Sequence, residues 1–321
     1  MRIATLGDVH AVHTRRWVAA LRERGHEVRV WSLESPPAGF AVEALPRAPL
    51  PGFARYPLAL PALRRALREF APDLVDAHYV PNYGLLGALA GRRPLVVTAW
   101  GSDLLVAGRR GGLQRVRAGY VLRRADLVLT DAQNLAAAAR ALGAPAGRIH
   151  VVPWGVDLER FRPEADREPG LVVSARRHEG IYDIETILRA MSLVLARDPR
   201  TRLVVIGEGS RRAALEKQAA ALLPPGRWTF TGSLAAPEFA RWLARAQVYV
   251  SASRSDSTSV SLLEAMAAGA LPVVSDIPGN REWVQEGEGA RLFPCGDADA
   301  LARAVERALG DPAWAAAARA R

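Results

Sequence analysis

Two acids, Asp256 and Glu264, are separated by seven residues in the stretch Ser-Arg-Ser-Asp-Ser-Thr-Ser-Val-Ser-Leu-Leu-Glu (253–264). The stretch follows an apolar run at 248–250 and opens a helical pattern at 259–268. The first backbone N–H groups of such a helix, around Ser257, Thr258, Ser259 and Val260, have no acceptor within the helix. With the helix dipole behind them they suit an anion such as a diphosphate. Ser257 or Thr258 is placed to cap that helix. The two carboxylates suit ribose and sugar hydroxyls, because a charged acceptor makes the stronger hydrogen bond. Taken alone, the pattern fits a ligand site and a capped helix with a solvated acid about equally.

Other polar groups fall where strands end. Arg176 and Arg177 lie in Ser-Ala-Arg-Arg-His-Glu-Gly-Ile-Tyr-Asp (174–183), after an apolar run. Gly207 and Gly209 close Val-Val-Ile-Gly-Glu-Gly (204–209). Asp8 and His13 flank the end of the first apolar run, and Trp100, Ser102 and Asp103 sit in Thr-Ala-Trp-Gly-Ser-Asp (98–103). Ligands of open parallel sheets collect at the carboxyl ends of strands. A capping Asp8, a surface His13, a packed Trp100 and a solvated arginine pair satisfy the same residues. His78 is a further strand-end group, with a satisfied core histidine as its default reading. No zinc or calcium ligand spacing, nucleophile elbow or Walker loop is present.

The elements that must hold these residues follow from the apolar pattern. Short apolar runs alternate with helix-period segments along the whole chain, which implies parallel sheets covered on both faces. In the first half, runs at 2–6, 27–32, 74–77, 95–98, 127–130 and 149–152 read as strands. In the second, runs at 171–174, 202–206, 228–231, 248–250 and 271–274 do so. A Pro- and charge-rich stretch near 153–168 separates the two sets. The fold class expected is α/β, with two doubly wound domains, 1–157 and 158–321, facing each other across a cleft. Residues 34–61, rich in Pro and Ala, read as a long connection that touches a ligand.

Composition narrows the classes. Of the 321 residues, 50% are hydrophobic and 24% charged, enough apolar material for two cores. Cys295 is the single cysteine, so no internal disulfide forms, and a reducing, cytoplasmic setting is expected. No apolar stretch reaches membrane-spanning length. The net charge is +10, and every basic residue but Lys217 is arginine. The arginines are scattered among much Ala, Gly and Pro, which reads as a compositional bias and argues against a nucleic-acid partner.

Five motifs in fixed order carry a resemblance. They are Val-Val-Pro-Trp-Gly-Val-Asp-Leu-Glu-Arg-Phe-Arg-Pro (151–163), 204–209, Phe-Thr-Gly-Ser-Leu (230–234), 253–264 and Leu-Pro-Val-Val-Ser-Asp-Ile-Pro-Gly-Asn-Arg-Glu (271–282). Together they resemble family 4 of the retaining glycosyltransferases, which have the GT-B fold. The resemblance implies a sugar transfer from a nucleoside diphosphate sugar to a hydroxyl acceptor, with retention and without a metal or other cofactor. It implies Glu264 at the ribose, Asp256 at the donor sugar, and the amides of 257–260 near the diphosphate. Gly207 and Gly209 belong to the same donor site. Arg176 and Arg177 would neutralise the leaving group, while Tyr182 stands where the family usually carries a lysine. Asp256 replaces a more usual Glu, and Trp100 a frequent His. Asp8, His13, Trp100 and Ser102 would shape the acceptor side, with Asp103 counted among the catalytic groups. The acceptor is left open among surface polysaccharide, glycolipid and small molecules; the basic charge adds peripheral contact with the inner membrane face. The family's final crossover helix is expected to be shortened or absent, since 314–321 is only an Ala- and Arg-rich pattern. The rival readings are a GT-B epimerase or phosphorylase and a non-catalytic sugar-nucleotide-binding protein.

Overall fold

The computed structural model describes residues 1–46, 55–106, 112–164 and 167–319. Part of the 34–61 connection and the last two residues of the 314–321 pattern lie outside the described residues. The chain divides into two compact units, Met1–Pro153 and Trp154–Arg321.

The first unit is built on a seven-stranded sheet, in the order β3-β2-β1-β4-β5-β6-β7. Its strands are β1 (Arg2–Leu6), β2 (Glu27–Ser32), β3 (Glu43–Ala44), β4 (Leu74–His78), β5 (Leu95–Thr98), β6 (Leu127–Thr130) and β7 (Ile149–Val151). All pair in parallel. Alternate residues of β1 explain why the run is apolar throughout. Ala4 and Leu6 enter one core with Val75, Ala77 and Val97, while Ile3 packs on the other face with Val18, Val28 and Val30. A strand buried on both faces has no polar side to show.

The second unit repeats the plan with six parallel strands, β10-β9-β8-β11-β12-β13. They are β8 (Leu171–Ala175), β9 (Arg202–Ile206), β10 (Trp228–Gly232), β11 (Val248–Ser251), β12 (Leu271–Ser275) and β13 (Arg291–Phe293). Val172, Leu203, Val205 and Val250 face one core, and Leu171, Val173, Val204 and Tyr249 face the other. In each unit the strand order reverses beside the first strand, between β1 and β4 and between β8 and β11. That reversal leaves a crevice at the strands' carboxyl ends, where open α/β sheets take ligands.

Several short elements are not legible in the sequence. The strand Glu43–Ala44 has two residues and Arg291–Phe293 three, too few to show alternation. After β4 the chain enters a π-helical turn, Tyr79–Gly84, with Tyr79 at a φ of 74°. No apolar period announces it.

Candidate active site

The switch point of the second unit holds a buried cation. Arg176 follows β8, and its side chain is only 9% exposed. One terminal nitrogen donates to the Ser259 hydroxyl and, at 3.5 Å, to that of Ser261. The other is paired with Oδ2 of Asp256, which follows β11. The Tyr182 ring covers the guanidinium, with its centroid 4.3 Å from Cζ. Nε is buried and has no acceptor among the described residues. Burial works against the charge, but Asp256, with Tyr182 and Tyr249, outweighs it and holds the Arg176 pKa above its ordinary value.

The loop that carries Asp256 is fixed from several sides. Asp256 Oδ1 accepts the Ser257 amide at 3.1 Å. The Ser275 hydroxyl donates to the Ser253 carbonyl, and Asn280 Nδ2 donates to the Ser275 carbonyl at 2.7 Å. A Cβ on Gly279 would run into the carbonyl oxygens of Asp256 and Ser257. The turn Pro278–Arg281 therefore abuts the loop directly, which explains why the 271–282 motif accompanies the acids. Ser275, Gly279 and Asn280 were not singled out from the sequence. Their signal was the motif itself, whose internal contacts no spacing rule reveals.

The helix after the loop runs Val260–Ala267. Its cap is Ser259, whose hydroxyl accepts the Leu262 amide at 3.4 Å, rather than Ser257 or Thr258. The reason is position: Ser257 and Thr258 are buried two and one residues upstream of the residue that flanks the first turn. Ser259 thus joins the helix cap to the Arg176 cation. Glu264 stands in this helix, half-buried.

The two arginines part company. Arg177 is 75% exposed and lies 3.9 Å from Glu179. Only Arg176 turns toward Asp256. Gly207 and Gly209 also have a structural task. A Cβ on Gly207 would strike the Arg176 carbonyl, and one on Gly209 would lie 2.5 Å from the His178 carbonyl. The loop after β9 is pressed against the Arg176–His178 backbone, and His178 N donates to Glu208 O at 2.9 Å. The glycines permit this approach.

The corresponding strand ends of the first unit hold a different constellation. Trp100 Nε1 donates to His78 Nδ1 at 3.3 Å, and His78 Nε2 lies 3.0 Å from Asp76 Oδ2. An indole N–H can only donate, so Nδ1 accepts and Nε2 carries the proton given to Asp76. His78 is thus a satisfied buried histidine. Trp100 meets His78 and His13 edge-on, with ring centroids at 5.6 and 5.4 Å. Burial, Arg16 and His78 lower the His13 pKa to about 4.

Asp103 is buried, and its oxygens accept the amides of Val80 and Trp100 at 3.0 Å each. Burial raises its pKa to about 6 against these hydrogen bonds. It joins the loops after β4 and β5, which is a positioning task. Ser102 is exposed at the start of a short helix, Ser102–Leu105. Asp8 is exposed and accepts the His10 amide at 2.9 Å. Val12–Glu23 takes Ala11 as its cap, so Asp8 makes a local turn and not a helix cap.

Among the described residues no cluster of three or more His, Cys, Asp or Glu could hold a metal ion. The arrangement in the second unit provides an enclosed cation paired with a carboxylate and a capped helix start, with Glu264 further along that helix.

This pair of doubly wound units is the GT-B fold of glycosyltransferases. A sucrose-phosphate synthase from Thermosynechococcus elongatus superposes with a TM-score of 0.86 at 23% identity, covering 99% of this chain and 92% of that one. The Anabaena HepE protein in complex with UDP-glucose does so at 0.84 and 19%, with the same coverages. The profile of the family described as Glycosyl transferases group 1 matches residues 156–321, and that of Glycosyltransferase Family 4 matches residues 10–160. The chain belongs to this glycosyltransferase family. Among its relatives is a GDP-mannose-dependent alpha-mannosyltransferase of Mycobacterium tuberculosis (29% identity, 86% of this chain, 78% of the relative). Another is a phosphatidyl-myo-inositol mannosyltransferase of Mycolicibacterium smegmatis (28% identity, 93% and 80%).

Proposed function

We propose that this glycosyltransferase moves a hexosyl group from a nucleoside diphosphate sugar to a hydroxyl acceptor, with retention and without a metal. The observation that carries the reading is Arg176. A guanidinium this enclosed, with a buried Nε lacking an acceptor among the described residues and a capped helix start beside it, suits a diphosphate. Negative charge develops on the departing phosphate oxygen, and a preorganised cation stabilises it there. Removing one such donor costs about 3 kcal/mol of transition-state stabilisation. Glu264 takes the ribose hydroxyls in this reading. Asp256 holds Arg176 through Oδ2 and the Ser257 amide through Oδ1, and the lone pairs left on these oxygens can accept a donor-sugar hydroxyl in this reading.

Relatives named for GDP-mannose and a structure named with UDP-glucose make guanine and uracil the first bases to try. A relative named for phosphatidyl-myo-inositol supports a lipid-linked acceptor in glycolipid or surface-polysaccharide synthesis, met at the inner face of the membrane. Among the described residues no helix is long and apolar enough to cross a membrane.

The test is a melting panel with GDP, UDP, ADP and dTDP on the wild type and Glu264→Ala, followed by nucleotide release from the matching sugar donor. A ligand at about a hundred times its Kd adds about 2.7 kcal/mol to stability. One nucleotide should raise the melting temperature, and Glu264→Ala should lose most of that rise. No rise with any of them sinks the reading.

A further inference from the structure

We propose that Tyr182 is a positioning residue for Arg176: its aromatic face, and not a second cation, completes the grip on the guanidinium that meets a diphosphate. The inference rests on the reading of Arg176 given above. The guanidinium is planar, and its terminal nitrogens are taken by Asp256, Ser259 and Ser261. Those contacts hold the nitrogens, and whatever covers the group limits the movement that is left. The Tyr182 ring is there, its centroid 4.3 Å from Cζ.

The ring is itself held. Tyr182 ends the turn Gly180–Tyr182, and its amide donates to Glu179 O at 3.0 Å. The next residue, Asp183, takes the left-handed conformation at a φ of 46°. On either side of the ring the chain is tied to Arg254. The Arg254 amide donates to Ile181 O at 2.8 Å, and its Nε donates to Asp183 Oδ2 at 3.0 Å. Arg254 stands two residues before Asp256 on the same loop. One loop therefore sets both the acid at the edge of Arg176 and the ring on its face. Arg177 does not substitute, since it is solvent-facing beside Glu179. The site thus works with a single clamped cation where two free ones would be more usual.

Calorimetric titrations of GDP, UDP and inorganic pyrophosphate test this on the wild type, Tyr182→Phe, Tyr182→Leu, Arg176→Leu and the double variant. Tyr182→Met serves as a second aliphatic replacement in case the leucine variant does not fold, and ligand-free melting temperatures report folding. Tyr182→Phe keeps the stack and should bind within about twofold of wild type. Tyr182→Leu should weaken binding about five- to thirtyfold, or about 1–2 kcal/mol at 1.4 kcal/mol per tenfold. The double variant should be no weaker than Arg176→Leu, because the ring acts through the arginine. Wild-type binding by the aliphatic variants, loss of binding by Tyr182→Phe, or additivity in the double variant overturns the proposal. If Arg176→Leu loses binding while the Tyr182 variants do not, this inference alone fails. If the wild type binds none of the three probes, or Arg176→Leu binds as wild type, the reading beneath it fails and takes this inference with it.

Discussion

The two units share a strand order and differ in what they place at its reversal. In the second, Arg176 is gripped by an acid, two serines and a tyrosine, and each partner comes from the loops after β8 and β11 or the helix that follows. In the first, Trp100 donates to His78, His78 is hydrogen-bonded to Asp76, and the Trp100 ring also meets His13 edge-on. The same topology thus gives one site with an enclosed charge and one with an aromatic wall. The charged site suits a phosphate group, and the wall suits the mixed polar and apolar faces of a sugar or acceptor. The fold supplies the crevice; the loops decide which chemistry enters it.

The contrast breaks most visibly at Arg176. Arg176→Leu should lower the transfer rate about a hundredfold or more, measured as nucleotide release from the donor sugar. It also leaves Asp256 without its buried partner, so a fall in melting temperature should accompany the loss of rate.

The first unit carries two opposed titrations that sharpen the comparison. Asp103 is raised to about 6 in the fold from an ordinary 3.8. Its contribution to stability is full at low pH and is lost as pH rises through that window, because the folded state holds the extra proton. His13 is lowered to about 4 from 6.5. Its contribution is present above that range and is lost as pH falls through it, because the unfolded chain holds the extra proton. At about 1.4 kcal/mol per pH unit, each amounts to roughly 3 kcal/mol, and they nearly cancel in the wild type. Denaturant unfolding between about pH 4 and 6 should show this when each variant is compared with the wild type. His13→Phe should add a decline in stability with rising pH, and Asp103→Asn an increase. Variants that both track the wild-type profile would break the account of these two groups.

A smaller effect is expected at Gly209. Gly209→Ala puts a methyl into the His178 backbone, which should cost about 1–3 kcal/mol of stability by thermal unfolding. Because the segment displaced carries Arg176, diphosphate affinity should fall as well.

Much of the fold was legible because parallel strands buried on both faces are continuous apolar runs, as 171–174 and 271–274 show. The candidate site was legible as residue types at strand ends joined to a family resemblance, which together named Arg176, Asp256 and the 257–260 amides. Their pairing was not. Arg176 and Arg177 are equivalent in sequence, and only the folded backbone past the strand end, with the loop of Gly207 and Gly209 against it, sets one beside Asp256 and leaves the other in solvent. Tyr182 read as a missing cation, because a cation–π contact between residues six apart depends on the turn Gly180–Tyr182 and the left-handed Asp183. That two backbone amides claim Asp103 was not legible either, because nothing in its sequence neighbours reveals it.

The most direct measurement sets the two sites against each other. GDP and UDP are titrated into wild type, Arg176→Leu and Trp100→Ala by calorimetry. The account predicts that one of the two nucleotides binds the wild type, that Arg176→Leu weakens this binding about a hundredfold, and that Trp100→Ala leaves the affinity within about twofold while slowing transfer. Nucleotide binding that is unchanged in Arg176→Leu and disappears in Trp100→Ala would contradict it.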